Sequence, residues 1–129
     1  MRRLLIVDDE RDICDFMKTF FQERGYDVTT ASNGDEAISA VNKEKPHLAI
    51  LDITMRGMDG LAALKHIKSI DKDLAVIMVT AHDDHERMNE AFRLGASAYI
   101  TKPLVLENLE GTVEKYLRET LDPLAKGTM

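Results

Sequence analysis

Five polar residues stand just past short apolar runs. Asp8 and Asp9 follow Leu4–Val7, Asp52 follows Leu48–Leu51, and Thr80 follows Leu74–Val79. Lys102 comes two residues after Ala98–Ile100. Apolar runs of this length suit strands buried on both faces. In an open α/β sheet the site lies beyond the carboxyl ends of the strands. Three carboxylates, a hydroxyl and an ammonium are therefore expected on one rim. Carboxylates on neighbouring strands repel one another unless something neutralises them. A divalent cation does so, and a few hard oxygen ligands favour Mg²⁺, which keeps several waters. Lys102 adds a point charge of the kind that holds phosphate. Each residue also has a plainer reading. Asp9 can be the N-cap of the helix that follows, Thr80 an ordinary strand-end hydroxyl, Lys102 solvated surface. The plainer readings lose force together, because all five residues fall at the same edge.

Helical stretches separate the runs. Ile13, Phe16, Met17, Phe20 and Phe21 recur at i, i+3, i+4, i+7 and i+8, one apolar stripe on a helix over Glu10–Arg24 that Gly25 ends. Tyr26–Thr30 reads as a second strand. Asn33-Gly34 opens a helix carrying Ala37, Ile38 and Val41, which stops before Pro46. Leu61, Leu64, Ile67 and Ile70 mark a third helix. Met88, Ala91 and Phe92 mark a fourth, ended by Gly95. Leu106, Leu109, Val113, Tyr116 and Leu117 mark a fifth. The fourth strand, Leu74–Val79, is the most apolar and is expected to be central. Five strand–helix units in strict alternation predict a parallel sheet with helices on both faces.

With 129 residues there is room for one domain. Residues 1–121 are expected to form it, with 122–129 a tail or the start of a linker. The net charge of −6 argues against direct binding to nucleic acid, since an acidic domain releases no counterions from a phosphate backbone. The single cysteine, Cys14, forms no internal disulfide, which points to a reducing, cytoplasmic setting. The longest uninterrupted apolar run, Leu74–Val79, is far short of a membrane span.

The set Val7-Asp8-Asp9-Glu10, Leu51-Asp52-Ile53-Thr54-Met55 leading to Met58-Asp59-Gly60, Val79-Thr80-Ala81 and Tyr99-Ile100-Thr101-Lys102-Pro103 resembles the receiver domain of two-component response regulators. The resemblance runs from about Leu4 to Leu121, with one motif at each strand end. It implies a flavodoxin-like sheet of order 2-1-3-4-5. It implies that Asp52 is the phosphoacceptor, forming an acyl phosphate with a phosphoryl group from a sensor histidine kinase or phosphotransfer protein. Asp9 would bind Mg²⁺ directly, Asp8 mainly through water, and Asp52 and the Thr54 carbonyl would complete the set. Thr80, the Ala81 N–H and Lys102 would hold phosphoryl oxygens. Such a module is not an enzyme toward other molecules; it catalyses only its own phosphorylation and dephosphorylation. Phosphorylation would move Thr80, turn Tyr99 inward and reshape the face of the fourth helix, fifth strand and fifth helix for a downstream protein or a fused output domain. Lys102-Pro103 would be a cis peptide.

Arg56 stands where the family usually has Pro, and Leu104 where Phe is frequent. Thr54 and His82 occupy the two positions that tune hydrolysis of the acyl phosphate. Two other classes compete. A Mg²⁺-dependent phosphohydrolase with an aspartyl-phosphate intermediate wants an acid two residues after the nucleophile, where this chain has Thr54. A flavin-binding module wants a phosphate-cradling loop after the first strand, where Asp8-Asp9 would repel it. His82 and His85 lack a third metal ligand in view. His47 and His66 read as surface, and Cys14 as a packed thiol.

Overall fold

The computed structural model describes residues 2–53, 59–80 and 85–121. The elements alternate throughout: β1 (Arg3–Val7), α1 (Arg11–Gln22), β2 (Asp27–Ala31), α2 (Gly34–Glu44), β3 (Leu48–Asp52), α3 (Gly60–Ile70), β4 (Ala75–Thr80), α4 (His85–Arg93), β5 (Ala98–Thr101) and α5 (Leu106–Leu121). The five strands form one parallel sheet in the order β2-β1-β3-β4-β5. This is the flavodoxin-like α/β arrangement. β3 takes the middle place, and β4, expected to be central from its apolarity, is an interior strand between β3 and β5.

Alternate strand residues feed two separate cores. Leu5, Val7, Ala49, Leu51, Val76 and Met78 pack on one face against Ala37, Val41, Leu64, Ile67 and Ala91 of α2, α3 and α4. Leu4, Ile6, Leu48, Ile50, Ile77 and Val79 pack on the other against Met17, Phe21, Leu109, Val113 and Leu117 of α1 and α5. The period of two sends each strand residue to one layer or the other. Burying both faces explains why the central strands read as unbroken apolar runs.

Local signals act where expected at α2. The Asn33 side chain accepts the Glu36 N–H at 2.9 Å, and Glu36 in turn accepts the Ser32 N–H at 2.8 Å. This is close to a capping box. The helix ends at Lys45, in the left-handed region with φ 49°, just before buried Pro46. Two surface assignments change. Phe16 does not join the core stripe of α1 and is 66% exposed, because Cys14, Met17 and Phe21 fill the sheet-facing side. His47 is half-buried, its Nδ1 accepting the Arg3 N–H at 3.0 Å at the start of β1. Burial and the neighbouring Arg3 charge lower its pKa.

Among the described residues no helix is long and apolar enough to cross a membrane.

Candidate functional site

The ladder itself delivers the acids to one rim. Asp8 directly follows β1, and its N–H donates to the Ala31 carbonyl at 3.1 Å, so the strand pairing with β2 continues through it. Asp52 is the last residue of β3 and sits in register with Val79 of β4. One carboxylate oxygen from each of Asp8, Asp9 and Asp52 lies within 4.8 Å of the other two. Asp8 and Asp52 are buried, at 5% and 6% exposure, and Asp9 is half-buried. Lys102, past the end of β5, places its ammonium 3.5 Å from Asp52 Oδ2 and 3.9 Å from Asp8 Oδ2. Thr80 ends β4 at 1% exposure, and its carbonyl accepts the Lys102 N–H at 2.7 Å. The rim anticipated from the strand ends is therefore assembled for Asp8, Asp9, Asp52, Thr80 and Lys102.

Burial has an electrostatic consequence for the cluster. Burial pushes the Asp8 carboxyl up to about 6, against the pull of the Glu10 N–H that donates to Oδ1 at 2.9 Å. The Asp52 charge raises it further and the Lys102 ammonium opposes that rise. A cluster of this kind is what a cation would relieve. The donors are all oxygen and all acidic, and two of the three side chains are buried. That set fits a hard divalent cation with an incomplete protein shell, the coordination habit of Mg²⁺.

The plainer reading of Asp9 as the helix cap does not hold. Glu10 is the N-cap residue of α1 and makes no side-chain cap bond, while Asp8 takes the Glu10 N–H. Asp9 is thereby left to the acid cluster. Cys14 is buried and its thiol donates to the Asp8 carbonyl at 3.2 Å. Burial and the adjacent Asp8 charge push the thiol up to about 11, so it is packing rather than a nucleophile.

Tyr99 lies on β5 with its ring against the core face that α3 and α4 share, and its hydroxyl is buried without a hydrogen-bond partner among the described residues. The Lys102-Pro103 peptide is cis. Leu104 and Leu106 pack against the core beside α5. Thr54, Arg56, Ala81 and His82 lie outside the described residues. His85 begins α4 and is exposed, as is His66 on α3.

Three features were not legible in the motifs. Gly60 opens α3 against the end of β3: a Cβ there would lie 2.4 Å from Ile53 Cα and 2.6 Å from the Asp52 carbonyl oxygen. Asp59, the N-cap of α3, accepts both the Leu61 N–H at 3.0 Å and an Arg87 guanidinium N–H at 2.9 Å. An apolar groove of about 440 Å³ runs beside the site, lined by Ile13, Phe16, Met17, Pro103, Leu104 and Leu106 together with Lys102 and Asp12. The separation of 28 residues between Asp59 and Arg87 leaves no sequence signal for their contact.

Comparison with known proteins gives a consistent result. The family model described as the response regulator receiver domain matches residues 4–114. The chain is similar to sporulation initiation phosphotransferase F of Bacillus subtilis (strain 168), 37% identical over 89% of this chain and 93% of that protein. It is 36% identical to the transcriptional regulatory protein ZraR of Escherichia coli (strain K12) over 91% of this chain, but spans only 26% of ZraR. Among solved structures, a CheY-like receiver domain protein from Methanospirillum hungatei JF-1 superposes with a TM-score of 0.92 at 30% identity, over 95% of this chain and 98% of that one. The response regulator TrrA from Thermotoga maritima, solved in complex with Mg²⁺-BeF, superposes at 0.81 with 36% identity, over 90% of this chain and 99% of that one.

Proposed function

The chain belongs to the response regulator receiver domain family, and from that premise we propose that Asp52 accepts a phosphoryl group from a partner histidine. The observation that carries this reading is the cluster itself. Three carboxylates have oxygens within 4.8 Å, with the Lys102 ammonium 3.5 Å from Asp52. Receiver domains are signalling modules that work with kinases and phosphotransferases, and the two named relatives are a phosphotransferase and a transcriptional regulator.

In the proposed reaction an Asp52 carboxylate oxygen bonds to phosphorus as the bond from phosphorus to the donor's nitrogen breaks, and the histidine leaves with the electron pair. Phosphoryl transfer needs positioning and charge neutralisation more than covalent help from other groups. Asp8, Asp9 and Asp52 would hold Mg²⁺, with the Thr54 carbonyl as a further ligand; the ion supplies neutralisation of the charge that develops on the phosphoryl oxygens. Lys102 pairs with Asp52 before transfer and with a phosphoryl oxygen after it. Thr80 and the Ala81 N–H take the other oxygens, and Thr54 and His82 tune hydrolysis. The TrrA relative, solved with Mg²⁺-BeF, supports this choice of ion.

The switch reading assigns the response to Thr80 and Tyr99. Thr80 is drawn toward the new phosphoryl group, and Tyr99 holds the inward position that its buried hydroxyl already occupies. The added charge of roughly −1.5 to −2 drives the change. The face of α4, β5 and α5 then meets a downstream protein or a fused output domain. Exposed Phe16, beside the groove that reaches Lys102, supports docking of a kinase or phosphotransfer partner next to Asp52. The proposed domain is residues 1–121, with 122–129 a tail or linker.

The test is intact mass after incubation with Mg²⁺ and acetyl phosphate. One phosphoryl adduct is expected, absent in Asp52→Asn and absent with EDTA. An adduct that persists in Asp52→Asn assigns the site elsewhere, and full transfer in EDTA removes the metal from the reaction.

A further inference from the structure

Gly60 brings the start of α3 against the backbone of the proposed phosphoacceptor. Its N–H donates to the Ile53 carbonyl at 2.9 Å, and the position of its missing Cβ lies 2.6 Å from the Asp52 carbonyl oxygen. The start of α3 is thus seated directly on the end of β3. The preceding residue, Asp59, is held from the other side. One of its carboxylate oxygens caps α3 through the Leu61 N–H and also receives the Arg87 guanidinium from α4. Two consecutive residues therefore connect a side chain of α4 to the backbone of Asp52.

Arg87 sits in a costly place for a cation. It is the third residue of α4, in the first turn, where the helix dipole disfavours positive charge. The Asp59 carboxylate offsets that penalty while occupying the favourable end of its own helix. Both side chains are exposed, so the pair adds little to folding. Its weight lies in placement. Among the described residues α4 buries only Ala91, whereas α3 buries Gly60, Ala63, Leu64 and Ile67.

We infer that Asp59 and Arg87 are a positioning pair, which sets the end of β3 through Gly60 and so aligns Asp52 for phosphoryl transfer. The inference rests on the reading of Asp52 as phosphoacceptor. Small displacements of a reacting group are expensive in rate, so loosening this contact should slow transfer without unfolding the protein.

The experiment is a double-mutant cycle on the rate of phosphorylation by acetyl phosphate at saturating Mg²⁺. Asp59→Asn keeps a good cap and drops the charge; Arg87→Gln drops the cation. Each single variant is expected to slow transfer by roughly three- to tenfold, with thermal midpoints unchanged. The double variant is expected to be no slower than the slower single, because both remove one contact, and Arg87→Lys should restore part of the rate. Wild-type rates in the singles, or losses that multiply in the double, overturn the proposal. Failure of the underlying reading is separately visible, as a wild-type protein that gains no adduct on Asp52.

Discussion

All five residues of β3 are buried, whereas β5, two strands away, buries none of its four residues fully. Asp52 belongs to the first region and Tyr99 to the second, and Lys102 follows β5 and reaches back to the acids. The acids are held where packing is dense on both faces of the sheet. The half-buried edge carries Tyr99, whereas Thr80, the other residue assigned to the switch, ends the fully buried β4. Close-packed interiors keep atoms in place, and loosely packed elements are the ones that open at low free energy. Like charges held close need the first kind of surroundings; a side chain that must change its partner needs the second.

The contrast can be broken most directly by cavity formation. Ile50→Ala in β3 is expected to destabilise the protein by about 2–5 kcal/mol, and Ile100→Ala in β5 by about 1–2 kcal/mol, measured by urea unfolding. Equal losses would mean that the two strands are equally packed in solution.

The acid cluster gives the next largest effect, and its sign is unusual for an aspartate. Asp8 has its pKa raised to about 6, so the folded protein binds more protons than the unfolded chain between about pH 4 and pH 6. Stability of the metal-free protein should therefore fall as pH rises through that window, by about 3 kcal/mol from this group at most. Asp8→Asn should flatten the profile. A wild-type profile without the fall would show that the acids are better solvated than their burial implies. At pH 7.5, Mg²⁺ should raise the unfolding midpoint by binding only the folded state, worth about 1–2 kcal/mol at moderate saturation. Asp9→Ala should remove that gain.

The smallest effect belongs to the edge. Tyr99→Phe deletes a buried hydroxyl that has no partner among the described residues. It should leave stability unchanged or raise it by up to about 1 kcal/mol. A loss of 2 kcal/mol or more, on the scale of a broken hydrogen bond to a charged group, would reveal a partner in solution and assign the hydroxyl a structural role.

The alternation of runs and periods was enough to read the order of elements, because a doubly covered sheet writes both signals plainly. The strand ends show why boundaries were harder. Apolarity stops at Leu51, Val79 and Ile100, yet the ladders continue to Asp52, Thr80 and Thr101. Backbone pairing does not depend on side-chain polarity, so the polar residue that ends each run is still a strand residue. Phe16 alone of its stripe stays outside the core, since Ile13, Met17, Phe20 and Phe21 cover that side of the sheet. The Asp59–Arg87 contact and the seat of Gly60 depend on how α3 and α4 stand, which no local pattern encodes.

Gly60 and Gly111 are the same letter with opposite histories open to them. At Gly60 even a methyl group meets main-chain atoms that cannot turn aside. A side chain at this position requires the end of β3 to shift. Gly111 lies in α5 with nothing within 4 Å of an added Cβ. Alanine there should gain about 0.5–1 kcal/mol of helix stability, which leaves a reserve that could absorb a destabilising change elsewhere. Drift along this chain is therefore blocked at the start of α3 and free on the surface of α5.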